Sequence, residues 1–112
     1  MIKIPTPSES FASQKVSLAG KTYEFVFRYN AYADVWQLDI FLNKQAVITG
    51  QSLVVSSPLF YAKPIKNFDH GVLLVLRNSE SKERLGRNNL GLNKLYSLYY
   101  YSNAEWEELQ NG

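Results

Sequence analysis

Few side chains in this 112-residue chain combine the type and spacing that bond-making chemistry requires. His70 is the sole histidine and cysteine is absent, so one chain cannot build a multi-histidine or thiolate metal site, and thiol nucleophiles are excluded. Asp34 and Asp39 come nearest to a carboxylate pair for acid–base work. Their places argue against it. Asp34 falls in a turn, where aspartate bonds its own backbone, and Asp39 falls on the strand face opposite Trp36 and Leu38, where it is expected to meet water. His70, between Asp69 and Gly71, reads as a turn residue. The stretch Gly86-Arg87-Asn88-Asn89-Leu90-Gly91-Leu92 has the glycine spacing of a phosphate loop but lacks the Lys-Ser/Thr pair that must follow. No serine sits in a Gly-x-Ser-x-Gly elbow. No catalytic, cofactor-binding or metal-ligating residue is assigned, and the chain is expected not to be an enzyme.

Binding is better supplied. Aromatic residues make up 14% of the chain and eight of them are tyrosines, four of which (Tyr96, Tyr99, Tyr100, Tyr101) crowd one segment near the C-terminus. Three uses stay open for them: core packing, a protein interface, or stacking of single-stranded bases or sugar rings beside Arg77, Arg84 and Arg87. The net charge of only +2 argues against a general nucleic-acid binder. Its distribution is uneven. Arg77, Lys82, Arg84, Arg87 and Lys94 outnumber Glu80 and Glu83, whereas Glu105, Glu107 and Glu108 have no basic neighbour in the C-terminal stretch. These are either a solvated loop and a solvated tail, or complementary patches meeting on neighbouring subunits, where charge sets register more than affinity.

The elements that would position these groups read as all-β. Lys21–Asn30 and Val35–Leu42 alternate strictly, placing Tyr23, Phe25, Phe27 and Tyr29 on one face and Trp36, Leu38 and Ile40 on the facing one, as a structural core. A strand over Ser10–Leu18 precedes them, joined by the turn Ala19-Gly20-Lys21. Asn43-Lys44-Gln45 turns the chain into Ala46–Thr49, and Gly50-Gln51 turns it again into Ser52–Ser56. Pro58 and Pro64 keep residues 57–66 irregular or at a sheet edge. Val72–Leu76, apolar on both faces, suits a central strand covered on two sides, and Leu95–Ser102 is the last strand. Residues 78–93 form a long polar loop of the kind that is functional or disordered. Closely spaced strands imply one small antiparallel β-sandwich or barrel. Its expected parts are an extended arm (1–9), a β-core (10–102) and an acidic tail (103–112). In the tail, Asn103 would cap a helical turn too short to persist alone. Trp106 there is expected to anchor a partner, the alternative being that it folds back onto its own domain. Nothing in the N-terminal stretch resembles a signal peptide and no run could span a membrane, so the chain is expected to be made and kept soluble, in a compartment that its lack of cysteine suits to reducing conditions.

The series Leu18-Ala19-Gly20-Lys21-Thr22-Tyr23, then Tyr29-Asn30, then Trp36-Gln37-Leu38-Asp39-Ile40, resembles a family of small proteins of tailed-phage and prophage tail operons. Ile4-Pro5 and Leu98-Tyr99-Tyr100 match the ends of that pattern, so the resemblance covers most of the chain. The family is similar to the plug component of a cyanophage contractile-tail baseplate. The resemblance implies a non-enzymatic structural subunit in or near the baseplate hub, assembled in the bacterial host cytoplasm and carried in the virion. It implies other tail proteins (hub, tube or wedge) as partners in a multi-subunit assembly; no cofactor and no membrane partner are expected, and nucleic acid is the less favoured partner. Arg77, Arg84, Arg87, Tyr99, Tyr101 and Trp106 are the residues expected to make partner contacts. A small binding module for single-stranded nucleic acid or glycans is the alternative.

Overall fold

The computed structural model describes residues 1–6, 11–18, 20–59, 71–92 and 94–111. The expectations placed on Ser10, Ala19, Pro64, Asp69 and His70 lie outside the described residues. Seven strands and a helix follow in order: β1 (Ile2–Ile4), β2 (Phe11–Leu18), β3 (Lys21–Asn30), β4 (Val35–Leu42), β5 (Gln45–Ser52), β6 (Val72–Arg77), β7 (Tyr96–Tyr101) and α1 (Asn103–Asn111). They form two antiparallel sheets, one ordered β2-β3-β4-β5 and the other β1-β7-β6. The two sheets pack face to face and do not close into a barrel, so the all-β sandwich is the architecture.

The expected hairpin is the centre of the larger sheet. β3 and β4 pair in register from Tyr23 opposite Leu42 to Asn30 opposite Val35, so the alternation of each strand delivers its apolar row to the same side. Tyr23, Phe25, Phe27, Trp36, Leu38 and Ile40 are all buried there, and the half-buried Tyr29 meets Trp36 edge-on with ring centroids 5.4 Å apart. The smaller sheet covers this row with Ile4, Leu73, Val75, Tyr96, Leu98 and Tyr100. Trp36 also donates its indole N–H to the Gly86 carbonyl at 2.9 Å, fastening the loop before β7 to the core.

Two turns show how backbone chemistry sets register. Asn43 and Lys44 both take positive φ (52° and 65°) between the paired Leu42 and Gln45, the two-residue geometry whose twist suits adjoining antiparallel strands. Gly50 was expected to end a strand; instead β5 runs through it. The register moves from Leu38 opposite Gln51 to Ile40 opposite Ile48, leaving Thr49 and Gly50 to face Asp39 as a bulge. Gly50 adopts φ +70°, which a side chain would resist, and its N–H donates to Asp39 Oδ1 at 2.7 Å instead of to the ladder. Arg28 donates to the same oxygen at 2.8 Å. Asp39 is therefore buried rather than facing water: the bulge leaves a donor without a strand partner, and the carboxylate fills that vacancy.

Beyond β5 the chain crosses from one sheet to the other. The Leu53 N–H still bonds Trp36, after which Val55 and Leu59 form isolated bridges to Val75 and Leu73 along the free edge of β6. The middle strand of the smaller sheet is thus β7, not β6. β6 does have both faces covered, since Leu73 and Val75 enter the main core while Val72 and Leu74 join Tyr99, Tyr101 and Trp106 in a second cluster. Helix α1 forms the third layer over that cluster.

Trp36 joins the main core to the 78–92 loop. Trp36→Ala is expected to cost about 3–5 kcal/mol, and Trp36→Phe, which keeps most of the ring but strands the Gly86 carbonyl, about 1–2 kcal/mol. Chemical denaturation of the two variants checks the order. A loss from Trp36→Ala smaller than that from Trp36→Phe would contradict the packing role.

Candidate assembly surface

The only helix among the described residues starts where Ser102 and Glu105 satisfy each other. The Glu105 N–H donates to Ser102 Oγ at 3.2 Å and the Ser102 N–H to Glu105 Oε1 at 3.0 Å. This reciprocal Ser-x-x-Glu cap, and not Asn103, begins α1. Glu105 also lies near the positive end of the helix dipole. So started, the helix lays Trp106 on Tyr101, edge-on with centroids 5.7 Å apart, and Trp106 is only 8% exposed. The expectation that Trp106 stands free for a partner is thereby corrected: nine residues of helix would not persist alone, and burying an indole on an apolar strand face is what holds them.

The same layer disposes of the free tyrosine platform. Tyr99 and Tyr101 are buried beneath α1 and the arm, with the Lys3 ammonium 5.6 Å from the Tyr99 ring centroid. Tyr96 and Tyr100 are buried on the opposite face. Burial, and secondarily the neighbouring Tyr99, raises the Tyr101 hydroxyl above the ordinary tyrosine range. Neither row is open to stack a base or a sugar, so the expectation of freely exposed tyrosines is corrected: Tyr99 and Tyr101 pack against α1, and Tyr101 also lines a groove beside it.

At the other end of β7 the long loop is tied down by hydrogen bonds. Tyr96 donates its hydroxyl to the Glu83 carbonyl at 2.6 Å, Tyr99 to Asn78 Oδ1, and Ser97 to the Gly91 carbonyl at 2.6 Å. Asn89 accepts from the Gly86 N–H at 2.7 Å and donates to the Arg84 carbonyl at 2.8 Å. Asp34, at positive φ, closes the β3–β4 turn by accepting from the Tyr29 hydroxyl and pairing with Arg84. The turn's own backbone is served by Asn30, whose side-chain oxygen accepts from the N–H groups of Tyr32 and Ala33. Asp34 is thus a bridge between turn and loop, not a self-bonded turn residue.

This leaves a basic end and an acidic end. Arg77, Arg84 and Arg87 are exposed around the loop. The Arg77 guanidinium lies 5.9 Å from the Tyr96 ring centroid and donates to the Ser81 carbonyl at 2.8 Å. Tyr32 projects fully into solvent from the adjoining turn. At the opposite end Met1, Tyr101, Glu105, Glu108 and Leu109 line a groove of about 550 Å³, and the Met1 amine pairs with Glu105. Tyr32, Met1 and Leu109 escaped the sequence reading because single exposed apolar residues carry no periodic signal. The Ser102-x-x-Glu105 spacing was a readable sign of the helix start. Among the described residues no three or more His, Cys, Asp or Glu side chains gather as a metal site, and no helix is long and apolar enough to cross a membrane.

Residues 1–103 match a family model described as cyanophage baseplate Pam3 plug gp18. The chain belongs to this baseplate plug family, and so to the structural proteins of phage tails. No curated protein matches the chain. The matched stretch holds both sheets and the loop between β6 and β7, and stops as α1 begins.

Ending the chain after Ser102 would uncover Val72, Leu74, Tyr99 and Tyr101 together. Truncation is expected to lower the melting temperature markedly, and Trp106→Ala alone to cost about 3 kcal/mol. Thermal and denaturant unfolding of the two proteins decides it. Unfolding curves matching the full chain would show that α1 does not cover the sheet.

Proposed function

We propose that this chain, which belongs to the cyanophage baseplate plug family, is a non-enzymatic subunit of a phage tail baseplate that sits at the hub as a plug and acts through protein–protein contacts. The family match along 103 residues carries this reading. The architecture is consistent with it: main-chain pairing, tyrosine hydroxyls and two apolar clusters fix the body, and the groups left outward are charged side chains and a few apolar ones. Neighbouring subunits of the tail would meet Arg77, Arg84 and Arg87 and the Tyr32 turn, a combination of arginine and tyrosine suited to protein interfaces. The protein would be assembled in the bacterial host cytoplasm and retained in the virion.

Such a subunit gains from rigidity. A surface held in place before contact loses less conformational entropy on binding than a segment that must order at that moment. The hydrogen bonds of the 78–92 loop supply that advantage at the basic end. The nucleic-acid or glycan alternative loses its support, because the tyrosines it needs are covered.

The test is the composition of purified tails. Mass spectrometry of tail particles from the phage or prophage that encodes this chain is expected to find it in fixed proportion to baseplate proteins. An Arg87→Glu/Tyr32→Asp variant should melt like the wild type and enter tails at least about tenfold less well, the scale of losing an interface anchor. Absence of the chain from tails that are otherwise complete would overturn the proposal.

A further inference from the structure

The two ends of the molecule differ in charge, and one carries a recess while the other carries a projecting side chain. At the α1 end, the groove is lined by Met1, Tyr101, Glu105, Glu108 and Leu109; Tyr101 is buried, whereas Met1 and Leu109 are 59% and 57% exposed. Methionine and leucine left so open beside an aromatic edge form an adaptable apolar recess. Two carboxylates rim it. Glu105 is engaged by the Met1 amine, whereas Glu108 enters no ion pair among the described residues.

At the loop end, Tyr32 stands at the tip of the 31–34 turn, with its ring fully in solvent. Arg84 is occupied by Asp34. Arg87 follows Gly86, whose carbonyl is held by Trp36, so the exposed guanidinium sits on a fixed backbone and enters no ion pair among the described residues. An exposed aromatic with a cation that has no ion-pair partner among the described residues stands at one end, and an apolar recess with a carboxylate that likewise has none stands at the other.

We infer that these surfaces bind each other between copies of this chain: the groove beside α1 receives the Tyr32 tip of a second copy, with Arg87 of that copy against Glu108. The second copy is the occupant because the chain carries both halves of the match, an acidic apolar recess and a basic aromatic projection. The patches do not overlap. β7 runs between them, with Arg77 paired to Tyr96 at one end and Ile2 to Tyr100 near the other, about 13–14 Å further along the strand. A contact between two different patches is head-to-tail, and each copy can take part in two such contacts, giving a closed ring or an open stack. The helical wall of the groove lies beyond the stretch matched to the plug family, which stops at residue 103.

The experiment is sedimentation equilibrium of the full chain with two surface variants, Tyr32→Asp and Leu109→Asp. Both positions are exposed, so both variants should keep the wild-type melt. The wild type is expected to exceed monomer mass at about 100 μM, a concentration that detects contacts of micromolar strength. Each variant alone should be monomeric, one lacking the projection and the other the recess. Their equimolar mixture should stop at a dimer, because one intact junction remains and the other is spoiled at both sides. A monomeric wild type, a variant that associates like the wild type, or a mixture that stays monomeric would each overturn the inference. It rests on the assembly reading but fails separately from it: a monomeric chain still found in purified tails would remove the self-contact alone.

Discussion

Strand β7 carries six consecutive buried side chains, four of them tyrosines, and a strand can bury both of its faces only if a layer covers each. The rest of the structure answers that demand. The β3–β4 hairpin brings a second sheet over Tyr96, Leu98 and Tyr100, and α1 covers Tyr99 and Tyr101. Buried phenols bring a further requirement, because a hydroxyl taken out of water must find a partner. Tyr96 finds the Glu83 carbonyl and Tyr99 finds Asn78, which draws the polar loop down onto the end of the sheet. Gly86 in that loop then reaches Trp36, so order passes from β7 through the loop and back to the hairpin. The basic surface at this end is firm because of tyrosines that never reach it.

How much of this was legible follows from which forces are periodic in sequence. The hairpin was, because Tyr23 to Tyr29 and Trp36 to Ile40 alternate strictly and that alternation sets pairing and face. The two covered faces of Val72–Leu76 were legible for the same reason. The bulge was not. A glycine within a strand pattern reads equally as a turn or as a bulge, and only the partner strand's Asp39, waiting for the Gly50 N–H, decides between them. Nor was the disposal of the tyrosines, since alternation shows that Tyr99 and Tyr100 point apart but not what covers each. Helix α1 was half visible. Its cap is written in Ser102 and Glu105, yet its stability depends on Trp106 meeting Tyr101, a tertiary contact that a nine-residue window does not contain.

For the assembly surface, the charge asymmetry of the chain was plain from composition, and the structure gives it direction. Acidic and basic segments adjoin in sequence, but β7 runs between them and sends them to opposite ends. The arginines expected to meet partners are exposed, while Tyr99, Tyr101 and Trp106, grouped with them, are buried, Tyr101 still lining the groove beside α1. Of the apolar residues that do face outward, Tyr32 on a turn and Leu109 on the helix are isolated in sequence and gain meaning only from their neighbours in space.

The central claim is that the loop before β7 and the helix after it are fixed parts of the free molecule, so that its contact surfaces exist before assembly. Native-state amide hydrogen exchange of the isolated full chain tests this most directly, because exchange reads local opening separately from global unfolding. The amides of Gly91, Tyr96 and Trp106, which donate to Tyr96, Asn89 and Ser102 carbonyls, are expected to exchange almost as slowly as those of the β3–β4 hairpin. Free exchange at Gly91 and Trp106 beside a protected hairpin would contradict the claim, and would make both segments parts that order only on a partner.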